Sequence, residues 1–214
     1  GALKRDDAYT GRSIPLLVLA LVLPTIVTYI YFYVLADAAE SVQKASMALC
    51  KIVQFGLPIV WVLCVRRYRG NIAWPQWTSR LEGSMFLTGL ISGLVIFAAA
   101  MALYHGWMKQ TDFVQVASLE VKQRVQEMGL LTPLSFIGLG VFYVLVHSLL
   151  EEYYWRWFVF GMLKDVTTGA AAMWISSLGF MAHHVLVLAR YFGWSSPATW
   201  FFSACVAVGG LIWS

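Results

Sequence analysis

Residues 13–36 run for 24 positions without an Asp, Glu, Lys or Arg. About 20 mostly apolar residues in helical form cross the hydrocarbon core of a bilayer, so this run predicts a membrane span, with Pro24 as a kink rather than a break. The pattern recurs down the chain. A second span is expected over 46–65, with Lys51 near its start and able to snorkel. A third, over 85–104, is uncharged and carries Gly89, Ser92, Gly93 and Ala98 to Ala100, small residues suited to close helix packing. The fourth begins near Pro133, stays free of those charges through Leu150, and continues helically through Glu151, Glu152 and Arg156 towards Leu163. The fifth covers about Ala170–Leu188 and contains His183 and His184. A sixth begins at Pro197 and is cut off by the end of the sequence.

The fold class expected is therefore an all-α integral membrane bundle of about six transmembrane helices, the last one truncated. Composition excludes the alternatives. Only 26 side chains carry charge (15 basic, 11 acidic), or 12% of the 214 residues, against roughly 25% in soluble proteins. They could not cover a soluble surface, and the mean hydropathy of +0.70 agrees. A soluble enzyme, a disordered chain and a secreted disulfide scaffold are excluded. Cys50, Cys64 and Cys205 are too few and too scattered for a disulfide framework or zinc knuckle, and pack as small apolar residues. The net charge of +4 is spread along the chain, so no nucleic-acid partner is expected.

Two regions are expected. Residues 1–132 hold the N-terminal spans (13–36, 46–65, 85–104) and a mixed segment, 105–132. In that segment Val114, Val116, Leu119, Val121 and Val125 alternate with polar groups in the manner of an amphipathic interfacial helix, the alternative being a solvated loop. Residues 133–214 hold the remaining helices and all the chemistry-bearing residues, and their unanchored apolar end suggests an incomplete region. Lys4, Arg5 and Arg12 precede the first span, and Arg66, Arg67, Arg69 and Arg80 crowd the loop after the second. Both groups fall on one side if each helix crosses once, giving a cytoplasmic N-terminus in a multi-pass protein of the cell (inner) membrane.

The most informative stretch is His147-Ser-Leu-Leu-Glu151-Glu152-Tyr-Tyr-Trp-Arg156. Each ionisable residue inside a membrane helix costs roughly 2.5–3.5 kcal/mol on insertion scales, so these must face protein or water. Glu152 and Arg156 sit one turn apart and can pair, as can His147 and Glu151 on a neighbouring face. A carboxylate in such a pocket can act as a general base for water. The alternative is a helix-end ion pair at the interface, with Glu151 reaching headgroup water. A second run, Phe180-Met-Ala-His183-His184, puts adjacent imidazoles on the fifth helix. They lie about 100° apart, so one is expected to meet the glutamates while the other bonds elsewhere.

Glu151-Glu152-x-x-x-Arg156, followed by Phe180-x-x-x-His184 on the next apolar helix, resembles the first two motifs of the CAAX prenyl protease and bacteriocin-processing (CPBP, or Abi) family of intramembrane glutamic endopeptidases. Residues 133–214 carry the likeness. The resemblance implies that Glu151 activates the attacking water and His184 is the catalytic histidine. Glu152 and Arg156 then orient that water and hold the helix, with Phe180 packed beside the site and His147 and His183 as accessory residues. It implies a peptide or membrane-protein substrate within the bilayer and no metal or other cofactor. The family's further motif, a histidine followed four residues on by Asn or Asp, does not occur in the sequence. Trp157 stands where the family often has Gly, and Tyr153, Tyr154, Trp155 and Trp157 are expected to narrow the groove beside the site. Ser148 and Ser176 are candidates to line its water access.

Two rivals stay open. His147, Glu151, His183 and His184 are residue types of a zinc metalloprotease, although HxxxE is not HExxH. A non-catalytic membrane protein (immunity-type, scaffold or transporter component) could use the same charges as a structural network.

Overall fold

A computed structural model describes residues 7–64, 83–127, 129–130 and 132–213. Lys4, Arg5, Arg66, Arg67, Arg69 and Arg80, on which the orientation depends, lie outside them, as do the side chains of Arg12 and Cys64. The described residues are helical with no strand. Helix α1 (Asp7–Tyr29) runs on into a π-helical turn, Ile30–Val34. Helices α2 (Glu40–Cys64) and α3 (Gly83–Gly106) follow, and then the shorter α4 (Asp112–Glu127). Helix α5 is one helical rod, Pro133–Val166; α6 (Gly169–Phe192) and α7 (Pro197–Ile212) complete the chain. Five helical stretches are long and apolar enough to cross a membrane, and α7 is a shorter apolar helix. The protein is a multi-pass, all-α integral membrane protein.

Local chemistry sets the helix starts. Thr132 caps α5 by accepting from the Ser135 amide, Ser135 reciprocates, and Pro133 occupies the first helical position, where its missing N–H costs nothing. Thr168 caps α6 and Ser196 caps α7, again with Pro at the first position. Between α6 and α7 the chain reverses at Gly193, whose φ of 84° suits glycine. The Thr199 hydroxyl donates to the Gly193 carbonyl at 2.7 Å, fastening the turn.

The second span begins earlier than expected. Glu40 and Lys44 form an i,i+4 ion pair, which lets the helix start at Glu40 although the apolar run starts at Ser46. Lys51 consequently lies near the middle of α2 and not near its start. The 105–132 segment forms α4, which buries Val114 and Ala117 while Val116, Leu119 and Val121 stay exposed. Among the described residues, the small residues of α3 make no close helix packing. None of its apolar window is buried, and neither Gly89 nor Gly93 has a neighbour within 4 Å of where a Cβ would stand.

The core lies where α1, α2 and α6 meet the second half of α5. Tyr154, Trp155, Phe158 and Val159 of α5 pack with Leu17 and Ala20 of α1, Trp61 of α2 and Ala172 of α6. One contact in it follows from proline chemistry. Pro24 has no N–H to return to the Ala20 carbonyl four residues back, and the Tyr154 hydroxyl fills that vacancy, donating to Ala20 O at 2.8 Å. The Thr28 hydroxyl in turn donates to the Pro24 carbonyl at 2.8 Å. Outside the core, residues such as Phe97, Val144 and Leu145 are exposed and face the lipid that a spanning chain requires.

Candidate functional site

Helix α5 continues through the charged run as expected, but it is not a regular α-helix. Its central part is π-helical over Phe142–His147 and again over Glu152–Val159, with Ser148–Glu151 between them. The Ser148 hydroxyl donates to the carbonyl five residues back, on Tyr143, at 3.0 Å. Such widened turns re-aim side chains and recur at functional sites. Here they flank Glu151.

Glu151 Oε1 lies 3.3 Å from His147 Nε2 and 3.7 Å from His183 Nε2. The first distance permits a hydrogen bond; the second is a close approach without one. The Glu151 side chain keeps 19% of its exposure and that of His183 only 10%. His183 lies flat on Trp155, with ring centroids 5.8 Å apart and planes 6° apart, so its direction is fixed by the core. His184 takes a different partner, its Nδ1 lying 2.9 Å from the Phe180 carbonyl. A carbonyl only accepts, so Nδ1 carries the proton and Nε2 is left for the site. The ligand atoms of Glu151, His183 and His184 all fall within 4.8 Å of one another.

Arg156 Nε stands 3.8 Å from Glu152 Oε1, an ion pair without a hydrogen bond. The guanidinium lies over the Phe180 ring, 5.6 Å from its centroid, and Nε and Nη1 are buried without a hydrogen-bond partner among the described residues. A pocket of about 430 Å³ opens in front of it, lined by Ser148, Glu151, Glu152, Arg156, Phe180 and Trp213. Phe180 and Trp213 also border an apolar groove of about 480 Å³ between α6 and α7, which His184 lines. One ring, Phe180, thus separates the carboxylates from the groove while touching His183 and His184 at centroid distances of 5.4 and 4.6 Å.

The structure brings Glu151, His147, His183 and His184 together and sets Glu152, Arg156 and Phe180 around the adjoining pocket. It corrects the aromatic expectation. Tyr154 and Trp155 are core residues, 0% and 1% exposed, and of that cluster only Tyr153 and Trp157 stay half-buried, stacked on each other at 5.3 Å. Core demand outweighs groove lining because these two rings fill the space where α1, α2, α5 and α6 meet. Ser148 lines the pocket, but Ser176 is fully buried elsewhere, its hydroxyl without a partner among the described residues.

Residues 133–214 match the family model of type II CAAX prenyl endopeptidases, described as Rce1-like. This region, under half of the chain, carries both motifs and is the region whose residues resemble the CPBP family. No curated protein and no solved structure matches the chain.

Proposed function

We propose that the protein is an intramembrane endopeptidase in which Glu151 is the general base. The observation that carries this is the convergence of Glu151 with two histidines of α6, beside a pocket lined by the Arg156 guanidinium and its ion-pair partner Glu152. Peptide hydrolysis needs three things: an activated water, donors for the developing oxyanion, and a proton for the leaving amine. Glu151 takes a proton from a water held between its carboxylate and the histidines. The hydroxide attacks the peptide carbon, and the tetrahedral oxyanion forms against the Arg156 guanidinium where it lines the pocket. The proton passes by way of His184 Nε2 to the amine nitrogen as the C–N bond breaks, leaving a carboxylic acid and an amine. Glu152 holds Arg156, His147 and His183 orient Glu151, and Phe180 supports both the guanidinium and His184. The substrate is a peptide or membrane protein whose cleaved bond reaches the pocket from the lipid. The N-terminus is assigned to the cytoplasmic side of the cell membrane.

A second reading has its own observation. A Glu and two His with ligand atoms this close resemble the donor set of a catalytic zinc. Chelation separates the two. The glutamate reading expects proteolysis to persist after exhaustive treatment with a zinc chelator; loss on chelation, restored by zinc, decides for the metal.

A further inference from the structure

Val114, Ala117, Ser118, Val121, Lys122 and Val125 recur along α4 at the three- and four-residue spacing that puts them on one helix face. Five of them are small or apolar, as a face turned towards protein requires, and the sixth is a lysine. Val114 and Ala117 are buried, and α4 packs on α6. The same face lines a pocket of about 640 Å³.

The walls of this pocket set its depth. Tyr104 comes from the end of α3, Pro133 and Phe136 from the start of α5, and Phe192 from the last turn of α6. Three spans begin or end around it, so it lies at one boundary of the membrane. Trp107 and Trp194 stand exposed at the same end, and such rings mark the water–lipid interface. Glu151 is about five helical turns further along α5, which makes this pocket separate from the candidate active site.

The chemistry of the lining selects the occupant. The volume falls within the roughly 300–1,000 Å³ of pockets that hold one small organic ligand. A peptide segment laid here would need partners for its backbone amides and carbonyls, and the Thr132 hydroxyl is already engaged in capping α5. An acyl chain needs no such partners. Among the described residues Lys122 is the only charged side chain in the lining, with no carboxylate beside it. Its stem can follow the apolar wall while its ammonium reaches headgroup level. A phosphate without an attached cation matches that ammonium, whereas a choline headgroup would bring a second positive charge with no carboxylate to receive it.

We propose that this pocket binds one anionic phospholipid, an acyl chain lying against Val121, Val125 and Phe136 and the phosphate at the Lys122 ammonium. The lipid fills the space that α4 leaves between itself and the ends of α3, α5 and α6.

The test uses the full chain in mild detergent as wild type, K122M, K122R and S118W, each checked by a thermal melt. Phosphatidylglycerol and phosphatidylcholine with matched chains are offered in equal amounts, and native mass spectrometry counts the lipids retained. Wild type is expected to retain one phosphatidylglycerol and to prefer it roughly fivefold, the worth of one basic side chain at a lipid surface. K122R is expected to keep that preference and K122M to lose it. Trp at the exposed position 118 is expected to fill the pocket and exclude both lipids. A phosphatidylglycerol carrying a photoreactive group at the end of its acyl chain is expected to label wild type within 104–136 or at Phe192. Labelling only elsewhere, a preference unchanged in K122M, lipid retained in folded S118W, or a lipid-free dimer each overturns the proposal. If S118W does not fold, the labelling pattern and the K122M preference decide.

Discussion

Tyr154→Phe removes one oxygen from a fully buried ring and tests how the core holds the site. The hydroxyl is the donor that replaces the N–H missing at Pro24, so its loss leaves the Ala20 carbonyl buried with no partner in its own helix. Leaving such an acceptor unsatisfied costs about 1–3 kcal/mol, and the ring itself stays in place to fill the core. For a chain of this size about 1 kcal/mol shifts Tm by roughly 2–4 °C, so Y154F is expected to melt about 2–12 °C lower. The assay is a thermal melt of the purified protein in detergent. Pro24→Ala provides the control, because an alanine restores the helical N–H to Ala20. The same Y154F change is then expected to cost about 1 kcal/mol less in P24A than in wild type. Equal losses in the two backgrounds, or a wild-type Tm unmoved by Y154F, would refute the proline–tyrosine pairing. Tyr154 lies one turn from Glu151, so the refuted pairing would also leave α5 without this anchor to α1.

Glycines give a second test of packing. A Cβ at Gly179 would stand 2.9 Å from the buried Trp155 ring and 3.0 Å from Leu21, whereas one at Gly161 meets nothing within 4 Å. Both alanine variants share the gain in helix propensity, so the melting difference between G179A and G161A isolates an overpacking cost of about 1–3 kcal/mol; equal melts contradict it. Because Trp155 lies flat on His183, G179A is also expected to lower kcat. Arg156→Lys keeps a charge but loses the planar fork of donors. A fall in kcat of roughly 100-fold or more at similar KM is expected, and an unchanged kcat removes Arg156 from the oxyanion role. His184→Ala is expected to abolish proteolysis with the melt preserved, and retained activity would shift the role to His183.

Much of this was readable in the sequence, because the bilayer imposes a simple code. Uncharged runs of about 20 residues mark spans, and Thr132-Pro133 and Ser196-Pro197 mark helix starts through local capping chemistry that depends on nothing distant. Glu151, Glu152 and Arg156 stand out because charge is costly in such a setting. What stayed hidden depends on tertiary contacts. The π-helical turns around Glu151 leave no periodic signature in so apolar a stretch. The division of labour between adjacent histidines depends on which one Trp155 covers. Tyr154 and Trp155 read as groove residues because composition cannot distinguish an aromatic ring facing lipid from one filling a core. Lys51 was misplaced because the ion pair of Glu40 with Lys44, which lengthens α2, reads as two charges outside the membrane.

The central claim is that Glu151 is the base. Its most direct test is proteolysis by the full chain and by Glu151→Gln, measured side by side on a peptide substrate found by screening, with melts to establish that both are folded. Glutamine keeps the size and much of the hydrogen bonding of the carboxylate but cannot take up the proton of water. Loss of cleavage in a folded E151Q protein is the predicted result. Cleavage at the wild-type rate would contradict the account.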